Sequence, residues 1–251
     1  MHVLKQSLLT LALASAAVAS QAATVHVKFD NPIFNGSGYD ALHIEFKLPD
    51  PSTETRTEYV AAGRFQGTAS NPQGVSPNTF VDNTSDLLTY CYDIYEYINH
   101  GQDVDYTLNF FGATARTLDF LGAVNSVINP LDPYAWLHPV NGYQGAAIQV
   151  GIWESLYDTS GWDLTTGNFK AWGLSTQTTT WLNQFLAALA TSNSLDGDYT
   201  LVLEAPGAQD MLTGRRPQQG GGTDVPEPGS LALIGLALVG LAVTRRVRQA
   251  D

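Results

Sequence analysis

The hydrophobic period changes twice along the chain, and those changes limit the folds open to it. Apolar and polar residues alternate from Thr24 to Phe29 (TVHVKF) and again from Leu42 to Leu48 (LHIEFKL), the pattern of strands with one buried face. Tyr59 to Phe65, Leu87 to Ile98 and Val104 to Phe111 read as further strands, separated by Gly, Pro, Asn and Ser clusters such as 31–38 and 70–78. After Thr114 the period lengthens. Leu118, Leu121, Val124 and Ile128 recur at helical spacing until Pro130 stops the run. GYQGAAIQVGIWESLYD, Gly142 to Asp158, and TTTWLNQFLAALATSN, Thr178 to Asn193, read as two more helices. Alternation returns from Asp198 to Glu204 (DYTLVLE), and Ala208 to Leu212 reads as a last short strand. The class expected is α+β. An antiparallel β-sandwich or barrel lobe (23–112 and 196–213) carries a mainly helical insertion (113–195), and the closing strand pairs back into the first sheet.

Both ends lie outside that domain. Residues 1–22 hold Lys5, a short apolar core from Leu8 to Ala19, and the small-x-small site Ser20-Gln21-Ala22, which together read as a secretory signal peptide. Residues 214–224 form a Gly-rich linker. From Gly229 to Thr244 there is no charge, which reads as a short transmembrane helix, and Arg245, Arg246 and Arg248 follow as the cytoplasmic flank. Val225-Pro226-Glu227-Pro228, the apolar run and the arginine cluster, in that order (225–251), resemble the PEP-CTERM sorting signal of Gram-negative bacteria. The resemblance implies export through the inner membrane and anchoring by the C-terminal helix. It further implies recognition by an exosortase, cleavage near the VPEP motif and transfer to the cell surface or extracellular matrix. A plain C-terminal membrane anchor is the simpler alternative.

Between Ala23 and Asp224 eight basic residues face 22 acidic ones, so nucleic acid is excluded as a partner. No P-loop, dinucleotide fingerprint or HExxH pair occurs, and no cofactor, metal site or catalytic residue is expected.

The chain has one cysteine, Cys91, within TYCYDIYEYI, so no internal disulfide forms. The middle helix is apolar nearly all round and still carries Gln149, one turn from Trp153. A buried carboxamide there requires a partner. These two segments resemble the halves of the thioester domain of Gram-positive surface adhesins. The matching residues are Tyr90, Cys91 and Asp93 in one half, and Gln149, Ile152 and Trp153 in the other. Gly151 departs from the family's alanine. The resemblance implies an internal Cys91–Gln149 thioester, sheltered by Tyr90, Tyr92, Tyr95, Trp153 and Tyr157. Such a bond would capture an amine on a surface or matrix component, which is adhesion rather than enzymatic turnover.

Other readings stand beside it. Cys91 as a plain buried thiol, an interchain disulfide or a hydrolase nucleophile are three, the last needing His100 or His138 nearby. Asp103 with Asp105 and Asp196 with Asp198 read as structural turns rather than calcium ligands. Trp153 and Trp181 read as core, while Trp136, Trp162 and Trp172 fall in loop-like segments. The alternative function is therefore a structural or carbohydrate-binding module of an exopolysaccharide biofilm matrix.

Overall fold

The computed structural model describes residues 22–48 and 51–217. The expected signal peptide and transmembrane run, and the residues of the sorting signal, lie outside those described residues. Among the described residues no helix is long and apolar enough to cross a membrane.

Among the described residues nine strands and three α-helices follow one another as β1 (Thr24–Phe29), β2 (Asp40–Lys47), β3 (Thr55–Ala62), β4 (Phe65–Gln73), β5 (Leu87–Cys91), β6 (Asp103–Asn109), α1 (Ala115–Ile128), α2 (Gly142–Tyr157), β7 (Phe169–Trp172), α3 (Thr176–Ala188), β8 (Thr200–Glu204) and β9 (Met211–Gly214). Six of the strands close an antiparallel barrel in the order β1-β4-β5-β9-β8-β6. Closure leaves that sheet without a free edge. The other three form a separate antiparallel sheet, β3-β2-β7.

Alternation sets the barrel's inner face. Val25, Val27 and Phe29 of β1 are buried, as are Val104, Tyr106 and Leu108 of β6, and Phe29 meets Tyr106 edge to face at 6.4 Å. The closing strands return as the period requires: β8 pairs with β6, and β9 lies between β8 and β5. β5 is buried at all five positions, because its second face is covered as well.

Several boundaries move. The run Tyr59–Phe65 straddles a turn at Gly63, and its ends belong to β3 and β4. The strand expected over Leu87–Ile98 stops at Cys91, and residues 92–102 form an irregular loop. The third helix runs from Thr176 to Ala188, not from 178 to 193. It starts where Ser175 accepts a hydrogen bond from the Thr178 amide. The segment 113–195 also contributes β7, which pairs with β2 through Phe46–Phe169 and Ile44–Ala171. Trp136 is fully buried, not in a free loop.

α2 is the centre of the second layer. It packs on α1 and α3 and also on β2, β3 and β7. Every residue from Gln144 to Ser155 is buried as a result. Gly151 explains itself here. A Cβ at that position would stand 1.9 Å from Cζ of Phe120, whose ring is in turn held by Trp162 (5.8 Å, near-parallel) and Phe185 (6.3 Å, edge on). Gly151→Ala should therefore destabilise the fold. Overpacking costs about 1–3 kcal/mol and outweighs the gain of about 1 kcal/mol in helix propensity. Urea unfolding of the variant against wild type measures the difference.

Candidate functional site

Cys91 ends β5, paired with Met211 of β9, and its side chain shares the inner barrel face with Thr89. The thiol is 3% exposed. It forms part of the floor of a cleft of about 310 Å³ between the barrel and β3, walled by Ile33, Phe65, Ile94, Ile98 and Trp153.

Two carboxamides converge on this residue from distant parts of the chain. Gln149, fully buried on α2, accepts a hydrogen bond from the Cys91 amide at Oε1 (2.9 Å). Its Nε2 donates to the Cys91 carbonyl (2.8 Å). The carboxamide thus straps α2 to β5 through both its oxygen and its nitrogen. The second carboxamide is Gln209, in the turn before β9, and it stands at the thiol itself. Sγ donates to its Oε1 at 2.8 Å, while its Nε2 donates to the Asp93 carbonyl at 2.8 Å. The Asp93 carboxylate completes this anchorage, with Oδ2 accepting from the Asp210 amide at 3.0 Å.

The structure therefore brings together Cys91, Asp93, Gln149 and Trp153, as the sequence suggests. It adds Gln209, which pattern reading misses. The only sequence signal for Gln209 is its place just before a strand that must return beside the cysteine strand. The aromatic shelter differs from expectation. Tyr90 points to the opposite face of β5, where its hydroxyl donates to the Trp136 carbonyl at 3.2 Å. The Tyr92 hydroxyl donates to the Gly112 carbonyl and accepts from the Thr114 amide. Tyr157 accepts from the Ile94 amide at 3.1 Å and packs on Tyr95, bracing the loop from outside. Strand alternation is the reason: residues on either side of Cys91 cannot cover the face it occupies. Ile152, on α2, is buried in the core.

The electrostatics oppose a thiolate. Burial pushes the Cys91 thiol well above its usual range, and the nearby Asp93 charge adds to this. Neither histidine offers a base. His100 Nδ1 accepts from the Ile33 amide at 2.9 Å, and His138 pairs with Asp82 at 3.3 Å. Asp103 and Asp105 both bond His26, and Asp196 caps its own turn by accepting from the Asp198 amide. Among the described residues no group of three or more His, Cys, Asp or Glu is placed to hold a metal ion.

Two tests follow. Gln149→Leu removes both partners of the buried Cys91 backbone. It should cost about 1–3 kcal/mol for each group left unpaired, read by denaturant unfolding. Burial also raises the Asp93 carboxyl from 3.8 to about 6. Between those values the unfolded chain binds fewer protons than the folded one. Stability from this group therefore falls as pH rises from about 4 to about 6, and the loss is complete above that. Asp93→Asn should flatten that part of a thermal-stability profile.

A family model for the PEP-CTERM protein-sorting motif matches residues 224–247. No curated protein and no solved structure matches the chain. The motif marks this chain as an exported exosortase substrate sorted to the cell surface.

Proposed function

We propose that the exported domain is a covalent adhesion module built on an internal thioester at Cys91, with Gln209 as the acyl donor. The observation that supports this most is the Gln209 carboxamide held on the thiol at 2.8 Å by a chain segment tied to Asp93. Fixed contact between reacting groups is what an uncatalysed condensation lacks. Sγ adds to Cδ of Gln209, the C–N bond breaks, and ammonia leaves with the proton the thiol gives up. Asp93 holds the reacting carboxamide through its backbone carbonyl and the following Asp210 amide through its carboxylate. Cys91 itself is 3% exposed where it lines the cleft, which limits access of bulk water to the product. A primary amine on a surface or matrix partner then opens the bond and leaves that partner attached by an amide. One event per molecule is adhesion, not turnover.

Two further readings have support of their own. The Cys91–Gln149 pair is favoured by the two hydrogen bonds that hold the Gln149 carboxamide against Cys91. A carbohydrate-binding matrix module is favoured by a row of rings on the β3-β2-β7 sheet. There Tyr59 (68% exposed), His43 and Trp172 (44% exposed) lie side by side in register.

Intact mass of the secreted protein, with and without methylamine, separates the three. Wild type should be one ammonia lighter than its sequence, and the methylamine adduct should map to Gln209. Cys91→Ala and Gln209→Glu should have their full sequence mass. An adduct on Gln149 would transfer the role to that residue. A wild-type protein at full mass, with a thiol that titrates on unfolding, would remove the chemistry and leave the matrix reading.

A further inference from the structure

Trp153 is 2% exposed, and its indole Nε1 is buried with no hydrogen-bond partner. Such a donor carries its desolvation cost without return, and so calls for an explanation. Its position narrows the choice. Trp153 lies one turn beyond Gln149 on the same face of α2, and Gln149 is pinned to the Cys91 backbone. That face of the helix therefore looks onto Cys91. Trp153 lines the same cleft as Cys91 and Gln209, and its ring is braced by Phe169 at 6.2 Å.

The thiol and the indole are complementary. In the unreacted chain the one hydrogen-bond donor on Gln209 Oε1 is the Cys91 thiol. Forming the thioester consumes that S–H. The cleft is then lined by an acyl oxygen with no donor and an indole N–H with no acceptor. We propose that Trp153 Nε1–H is the oxyanion donor of this site, stabilising the charge that develops on the Gln209 acyl oxygen when an amine attacks. The inference rests on the thioester reading above. The amine nitrogen adds to Cδ, and the carbonyl electron pair moves to oxygen, where the indole donates. Collapse breaks the C–S bond. The proton shed by the amine passes to sulfur, so an amide and a neutral thiol result. A thiol that resists ionisation suits this outcome, because Cys91 is released protonated. Donors already in place where charge develops act without reorganisation.

The test is Trp153→Phe, which keeps a ring and removes the N–H. Thioester formation is followed by the loss of ammonia, and opening by the rate of methylamine incorporation. The expected result is a variant that still acquires the bond, more slowly, and opens about 10²–10³ times more slowly than wild type. Equal opening rates would overturn the assignment while leaving the thioester in place. If the variant does not fold, the wild-type Trp153 indole resonance decides. It should move downfield in the thioester form relative to the methylamine-opened form, in which the Cys91 thiol is restored as donor to the acyl oxygen, and an unchanged position overturns the proposal. A wild-type protein at full sequence mass removes the thioester reading and this inference with it.

Discussion

The strap from Gln149 to Cys91 is the contact on which the site depends. α2 belongs to the helical layer and β5 to the barrel, and a single carboxamide satisfies both backbone groups of the last residue of that strand. Its two bonds are made where water does not reach, so each is expensive to lose. The strap also fixes the rotation of α2. With Gln149 directed at β5, Trp153 faces the cleft and Gly151 faces Phe120. One polar side chain in an otherwise apolar helix thus sets the orientation of the whole element, and a purely apolar interface would set it less sharply.

The site gathers its other parts from the loops at one end of the barrel. Residues 92–102 leave β5 as irregular chain, and the turn before β9 comes to lie against them, through the Asp93–Asp210 and Asp93–Gln209 contacts. The Tyr106 hydroxyl donates to the Gln209 carbonyl from the barrel interior at 3.0 Å. Gln209 is consequently held from both ends of its own residue. A side chain in a turn usually samples several rotamers, and here the backbone and the amide are both restrained.

Much of this was legible in the sequence, for identifiable reasons. Period-two runs with one buried face mark β1, β2 and β6, and the all-round apolar character of Ala146–Trp153 anticipates a helix buried on every side; β8, buried at four consecutive positions, does not keep the expected alternation. Cys91 and Gln149 stand out in the sequence because a lone cysteine and a buried glutamine each require an explanation, and the structure places them in hydrogen-bond contact. The differences arise where long-range pairing overrides local sequence. β7 is four residues long, too short to show a period, and is made a strand by its pairing with β2. The aromatic run after Cys91 has strand composition, yet it leaves the sheet, where its side chains brace the loop instead. Trp136 follows the same rule: it sits in a single helical turn too short to show a period, and it is fully buried by packing that includes Tyr90. Gln209 escaped because nothing in a turn residue announces which strand its neighbour will pair with.

The place of Gln209 along the chain has a mechanical consequence. It lies two residues before Met211, the start of β9, after which Arg216 is bound to the Asn78 and Val81 carbonyls, and the chain then leads to the sorting motif at 224–247. Were a partner bonded at Gln209 and the C-terminal side held, tension would enter the barrel at β9 and be borne first by its pairing with β5 and β8. The helical layer and the other barrel strands would lie outside that covalent path. A pull strong enough to strip β9 from its neighbours would unravel part of the domain and still leave the partner attached.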